Sequence, residues 1–240
     1  MKVVILAGGK GTRLGPITEN MPKAMVQIGG KPIIWHIMKY FSEFGFNEFI
    51  IALGHNKEYF DKSFLADKEN ISNGREWVID LVDTGKSTQT GGRIKRLGSV
   101  LGQKTFMLAW CDGLSDINLH DLFSFHNQNN KLVTVAAVHP PSRFGHLSLN
   151  GINVTEFLEK PVLTDKWVNG GFFVVESAAL EYIDGDGTQW EKEPLQRLAQ
   201  DNQLVAYRHG TFWQCMDTMY DKRALENLWS SGNAPWKIWS

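Results

Sequence analysis

The stretch Val3-Val4-Ile5-Leu6-Ala7-Gly8-Gly9-Lys10-Gly11-Thr12-Arg13-Leu14 decides the fold. Its apolar run, rich in β-branched residues, lacks the alternation of a half-exposed strand, so Val3 to Ala7 reads as a strand buried on both faces. The glycine cluster directly behind it reads as a tight turn. Successive glycines permit positive φ and bring backbone N–H groups close to an anion, while Lys10 and Arg13 add charge. A bound phosphate is the natural guest of such a loop. A turn that serves packing alone is the alternative, and the basic residues argue against it.

Outward from this stretch, strands and helices alternate. Pro32 to Phe44 carries apolar residues at helical spacing, with Pro32 near its start and Gly45 as its stop. Phe49 to Leu53 and Trp77 to Val82 read as strands, Glu58 to Leu65 and Gly91 to Leu101 as helices, and Thr105 to Ala109 as a strand that leaves Asp112 just past its end. Leu119 to Asn127 is predicted helical and Leu132 to Val138 extended. Gly145 to Phe157 reads as short strands around a turn at Asn150-Gly151. Phe172 to Val175 and Leu204 to Tyr207 follow as strands, Pro194 to Gln200 and Asp221 to Trp229 as helices. This order predicts a layered α/β sandwich with a largely parallel sheet and a hairpin-rich insertion after residue 140.

Length and composition set limits. At 240 residues, 42% hydrophobic and 21% charged, the chain suits a folded domain with a substantial core. With 25 Lys+Arg against 26 Asp+Glu, the net charge of -1 offers no field for a nucleic acid or an anionic membrane, so neither is expected as a partner. The cluster Arg93-Ile94-Lys95-Arg96 reads as a solvated helix face. Cys111 and Cys215 read as reduced thiols, and the run Val3 to Ala7 is too short for a secretory leader or a membrane span, which places the expected location in the cytoplasm. The 9 tryptophans are scattered along the sequence and read as core or rim packing. No ligand spacing links His36, His126, His139 and His209, so satisfied or exposed histidines are expected.

Two familiar glycine-rich patterns fail. The dinucleotide fingerprint from Gly9 and Gly11 would need Gly or Ala where Leu14 stands, and the second strand ends Leu53-Gly54-His55 without a ribose-binding acid. No Gly-Lys-Ser/Thr follows four spacer residues, so a P-loop is absent.

Gly8-Gly9-Lys10-Gly11-Thr12-Arg13-Leu14 followed by Pro22-Lys23 instead resembles the signature of the sugar-phosphate nucleotidyltransferases. The resemblance extends through Gly29-Gly30-Lys31-Pro32, Leu81-Val82-Asp83-Thr84-Gly85, Thr90-Gly91-Gly92-Arg93, Arg143-Phe144-Gly145, Glu159-Lys160-Pro161, Asn169-Gly170-Gly171-Phe172, Phe212-Trp213-Gln214 and Met216-Asp217-Thr218 to Ala234-Pro235-Trp236-Lys237. It is strongest toward the cytidylyltransferase branch that acts on glucose 1-phosphate. It implies a Rossmann-like α/β/α fold with a mostly parallel mixed sheet and a small sugar-binding insertion. The whole of 1–240 would be one domain, with a nucleotide half over about 1–138 and a sugar-phosphate half over 139–240. The implied reaction converts CTP and α-D-glucose 1-phosphate into CDP-glucose and pyrophosphate.

The same resemblance implies site residues. Arg13 and Lys23 would be catalytic. Leu6, Gly8, Gly9, Gly11, Thr12, Thr90, Gly91 and Gly92 would frame the nucleotide, and Glu159, Lys160, Asn169 and Gly170 would face the sugar phosphate. Asp112 and Asp217 would hold one Mg²⁺, which favours hard oxygen ligands shared with phosphates. Taken singly, either aspartate fits a turn or helix cap equally well; their joint motif context sets them apart. Family members assemble into oligomers, so a homo-oligomer is implied, although the stretch from His55 to Trp77 is shorter than the family's. Cys111, Cys215, Gln27 and His146 depart from the family pattern. Another nucleotide or another phosphorylated or phosphonate acceptor, and a catalytically silent binding protein, are the competing readings. The presence of Arg13, Lys23, Asp112 and Asp217 together opposes the last.

Overall fold

The computed structural model describes residues 1–60, 71–72, 75–142, 144–159 and 166–239. The apolar run forms β1 (Lys2–Leu6), and the glycine loop leads through 3-10 turns at Thr12–Thr18 and Lys23–Met25 to the small hairpin β2 (Gln27–Ile28) and β3 (Lys31–Pro32). Helix α1 (Ile33–Glu43) ends before Gly45, which takes φ +81°. β4 (Glu48–Leu53), the paired segments β5 (Ile71–Ser72) and β6 (Arg75–Glu76), and β7 (Val78–Asp83) follow. Of the helix expected over Glu58 to Leu65, only a 3-10 turn at Lys57–Tyr59 falls among the described residues. The helix expected over Gly91 to Leu101 is broken at Leu97 into α2 (Thr90–Arg96) and α3 (Gly98–Leu101).

The chain then crosses to β8 (Phe106–Trp110) and β9 (Gly113–Ser115), and α4 (Leu119–Asn129) leads to β10 (Val133–Val138). The hairpin of β11 (His146–Asn150) and β12 (Asn153–Leu158) stands out from the body, with Leu147, Leu149, Val154 and Phe157 exposed. β13 (Val168–Val175), α5 (Glu193–Gln200), β14 (Leu204–His209), β15 (Trp213–Cys215) and α6 (Met219–Ser230) complete the fold.

The seven-stranded sheet runs β14-β10-β13-β8-β1-β4-β7. β1 is parallel to both β4 and β8, β4 to β7 and β10 to β14, whereas β13 runs antiparallel to β8 and β10. The expected mostly parallel mixed sheet is therefore present. Alternate residues of each central strand enter opposite layers. Val3, Ile5, Met107 and Ala109 pack toward α1 and α6, while Val4, Leu6, Phe106 and Leu108 pack toward α2, α3 and α5. Burying one large apolar side chain stabilises by roughly 1.5–3 kcal/mol, so an uninterrupted apolar strand belongs where both faces are covered.

Strand order also places the site. The chain builds outward from β1 through β4 to β7, then returns to β8 on the other side of β1. Such a reversal opens a crevice at the carboxyl ends of the two strands, where doubly wound sheets hold ligands. The glycine loop after Leu6 and the Trp110-Cys111-Asp112 stretch both emerge there. Because β13 is reversed, its first residues meet the same edge: Phe172 pairs with Ala109, so Gly170 lies beyond the end of β8.

Four of the nine tryptophans are gathered in space. Trp35, Trp229, Trp236 and Trp239 surround the buried His36, their ring centroids 4.7 to 6.2 Å from its own. The His36 Nε2 lies 2.8 Å from the Ile28 carbonyl, and Trp236 Nε1 donates to Nδ1 at 3.3 Å. A neutral ring protonated on Nε2 satisfies both partners. Burial pushes its pKa down to about 4, against backbone hydrogen bonds at Ile28 and Lys31 that favour the charged form.

Candidate active site

The crevice is a cleft of about 540 Å³ whose walls include Leu6, Gly8, Gly9, Gly11, Arg13, Lys23, Thr90, Asp112 and Asp217. The glycine loop is shaped from behind. Arg93, on α2, is 4% exposed and sends its guanidinium to the carbonyls of Leu53 (2.9 Å), Gly85 (2.8 Å) and Gly8 (3.0 Å) and to Thr84 Oγ1 (2.8 Å). A Cβ on Gly8 would stand 2.3 Å from its Nη1, so only glycine fits. Gly11 takes φ +64°, and its carbonyl accepts from Thr18 Oγ1 at 2.9 Å. Arg93 thus departs from the solvated face expected of its cluster: its neighbour Lys95 caps the Ile183 carbonyl and Arg96 pairs with Asp186, while Arg93 itself is an internal brace.

Opposite the loop, two carboxylates converge. Asp112 follows β8 in the tight turn to β9, and β9 pairs with β15 so that Cys215 faces Gly113. The Met216 N–H donates to the Asp112 carbonyl at 2.8 Å, tying the two carboxylate-bearing segments together. The sequence Thr218-x-x-Asp221 is a capping box that starts α6. Asp221 Oδ2 accepts from the N–H groups of Asp217 (3.1 Å) and Thr218 (2.8 Å), fixing the backbone that presents Asp217.

Lys23 lies between the carboxylates. Its ammonium donates to Asp112 Oδ2 and, at 2.6 Å, to Asp217 Oδ1. Arg13 Nη1 donates to Asp217 Oδ2 at 2.6 Å from a side chain that is 70% exposed. Burial opposes the charge on Lys23, but the two aspartates outweigh it and hold its pKa well above that of an ordinary lysine. Burial first, and then the neighbouring Asp112 or Asp217, pushes the Cys111 and Cys215 thiols up to about 12. Both are protonated at neutral pH and poorly suited to attack. Both are also free rather than bridged, as expected.

The remaining expected site residues fall in different places. Thr12 opens the 3-10 turn on the exposed side of the loop. Gly91 and Gly92 are buried in the first turn of α2, where a Cβ would come within 2.8 Å of the Thr188 carbonyl and 2.6 Å of Asp186 Cα. Thr90 Oγ1 donates to Glu191 and accepts from the Trp190 N–H. Asn169 Oδ1 accepts from the Gly171 N–H, and the Gly170 carbonyl accepts at 2.7 Å from Nε1 of Trp213, itself part of the cleft wall. Glu159 is exposed beyond β12, and Lys160 lies outside the described residues, as do Arg143 and Pro161. Sequence reasoning missed Gln89, Gln189 and Glu191, which line the cleft from two loops that meet only after folding.

At the sheet's switch point a glycine loop thus faces paired cations and carboxylates across one cleft, an arrangement suited to a phosphorylated ligand. The chain belongs to the nucleotidyl transferase family, with the family pattern matched over residues 2–218. Along its whole length and that of its relative, it is 44% identical over 256 residues to the glucose-1-phosphate cytidylyltransferase of Salmonella typhimurium. The protein of the same name from Salmonella typhi is also 44% identical over both full lengths. A solved UDP-glucose pyrophosphorylase complexed with UDP-glucose, 19% identical, shares the fold with a TM-score of 0.74 over 96% of this chain and 98% of that one. Among the described residues, no helix is long and apolar enough to cross a membrane.

Proposed function

We propose that this nucleotidyltransferase transfers CMP from CTP to α-D-glucose 1-phosphate, releasing CDP-glucose and pyrophosphate. An oxygen of the sugar phosphate attacks the α-phosphorus of the nucleotide. A new P–O bond forms as the α–β bridging bond breaks, and its electron pair leaves with pyrophosphate. Alignment and charge neutralisation suffice for such an in-line transfer, so no covalent nucleophile is required.

The chain's own groups divide the work. Backbone N–H groups of Gly8, Gly9 and Gly11 receive the polyphosphate. The Arg13 guanidinium, exposed at the cleft mouth, neutralises the leaving pyrophosphate. Lys23 binds the α-phosphate and the incoming sugar phosphate. Glu159, Lys160, Asn169 and Gly170 are assigned to the acceptor side, and Thr90, Gly91 and Gly92 to the nucleotide side.

Asp112 and Asp217 fit a divalent cation. Their carboxylate oxygens converge on one point, already marked by the Lys23 ammonium. Among the described residues no cluster of three or more His, Cys, Asp or Glu side chains suits a metal, so two protein carboxylates would leave the other positions to phosphates and water. Mg²⁺ favours that mixture over an all-protein cage. When bound, the ion supplies Lewis-acid neutralisation of the phosphate charge.

The observation that carries this reading is the convergence of Arg13, Lys23, Asp112 and Asp217 at the mouth of β1 in a chain 44% identical over full length to a cytidylyltransferase. Pyrophosphate release, measured with each nucleoside triphosphate against a panel of sugar 1-phosphates, tests it; CTP with glucose 1-phosphate should give the highest kcat/KM. A different acceptor is the second reading, favoured by the Cys111 and Cys215 side chains in the cleft wall.

A further inference from the structure

Lys23 occupies the point on which both candidate metal-binding carboxylates converge. We infer that Lys23 is a built-in counter-ion that closes the metal seat of the empty enzyme, so that a divalent cation enters only together with polyphosphate. This rests on the assignment of Asp112 and Asp217 to the metal and concerns the order in which that seat is filled.

Charge accounting leads there. The Lys23 side chain is 10% exposed, and those of Asp112 and Asp217 are 18% and 12% exposed. With Arg13 reaching the second oxygen of Asp217 from the cleft mouth, two cations balance two anions, and of these Lys23 and the two carboxylates are largely shielded from water. A divalent cation arriving alone must evict the Lys23 ammonium, leaving it buried without a carboxylate, which is strongly unfavourable. Polyphosphate arriving alone must face two carboxylates already committed to Lys23 and Arg13. When both arrive, partners are exchanged without an orphan: the carboxylates take the divalent cation, and Lys23 and Arg13 take phosphate oxygens. Linkage then requires each ligand to raise the affinity for the other by one common factor. The cleft has room for the exchange, because Gly9 and Gly11 line it beside Lys23.

The experiment is a Mn²⁺ titration of the full chain without nucleotide, followed by the loss of the free-ion electron paramagnetic resonance signal. Wild type should bind weakly. Lys23→Gln, which keeps a hydrogen-bond donor but removes the charge, should bind Mn²⁺ roughly tenfold more tightly or better. Lys23→Met should shift the same way, and a thermal melt identifies any variant that has failed to fold. If both folded variants bind no more tightly than wild type, the closing role is overturned. Adding Asp112→Asn to Lys23→Gln separates the two layers of argument. Loss of the gain supports both, whereas a gain that survives means Mn²⁺ sits elsewhere and overturns the metal assignment itself.

Discussion

The Arg93 guanidinium donates to the Gly8 carbonyl at 3.0 Å, bridging the second helix to the first glycine of the loop after β1. That contact leaves no space for a side chain at position 8. Gly8→Ala should therefore displace the brace and weaken CTP binding at least tenfold. Arg93→Met leaves several buried acceptors unpaired at about 1–3 kcal/mol each, so a loss of about 3 kcal/mol or more is expected in urea denaturation. Arg93→Lys should recover only part of it, since an ammonium cannot reproduce the guanidinium fork.

Asp112→Asn preserves size and keeps an oxygen for Lys23 while removing the charge. The variant should melt somewhat below wild type yet still fold cooperatively, because Asp217 remains to pair with Lys23. Pyrophosphate release should fall by about a thousandfold, in keeping with several kcal/mol of transition-state charge stabilisation. Turnover equal to wild type would remove Asp112 from the metal seat. Chelation with EDTA should silence wild type, and added Mg²⁺ should restore it.

Arg13 separates catalysis from stability. Its ion pair with Asp217 is made from the cleft mouth by a largely exposed side chain, so it adds at most about 1 kcal/mol to folding. Arg13→Ala should melt within a few degrees of wild type yet lose roughly a hundredfold or more in kcat/KM. Arg13→Lys should rescue only weakly. A large drop in melting temperature with intact kinetics would reverse this assignment.

Acid should loosen the tryptophan cage. His36 is held neutral with a folded pKa of about 4, against about 6.5 in an unfolded chain. Between these values the unfolded state binds more protons, so stability falls as pH drops through this window, by up to about 3 kcal/mol. Urea midpoints measured from pH 7 to pH 4 should decline more steeply in wild type than in His36→Gln. Equal slopes would show that the imidazole contributes no pH dependence.

How much of this was legible in the sequence depended on where each residue's partner lay. The core strands were readable because covering both faces leaves a local mark, the unbroken Val3 to Ala7 run. The turn at Asn150-Gly151 was readable for a similar reason: Gly151 takes φ +60° there. The division of the expected helix at Leu97 coincides with Gly98, but an isolated glycine within a helical pattern is a weak signal, and the helix was read straight through it. Arg93 was misjudged because its acceptors come from Gly8, Leu53, Thr84 and Gly85, three separate segments, whereas its sequence neighbours suggested only a charged face. The meeting of Lys23 with Asp112 and Asp217 followed from motif resemblance rather than from spacing. Pairing β9 with β15 brings the two aspartates together, and the 3-10 turn at Lys23–Met25 sets Lys23 against them.

The Trp236–His36 contact joins positions 200 residues apart. During synthesis the first helix must therefore wait, its aromatic shelter incomplete, until the segment that carries Trp236 has left the ribosome. Closing so long a loop is entropically costly and tends to come late, which makes the seating of Trp236 a late event relative to the forming of the first helix.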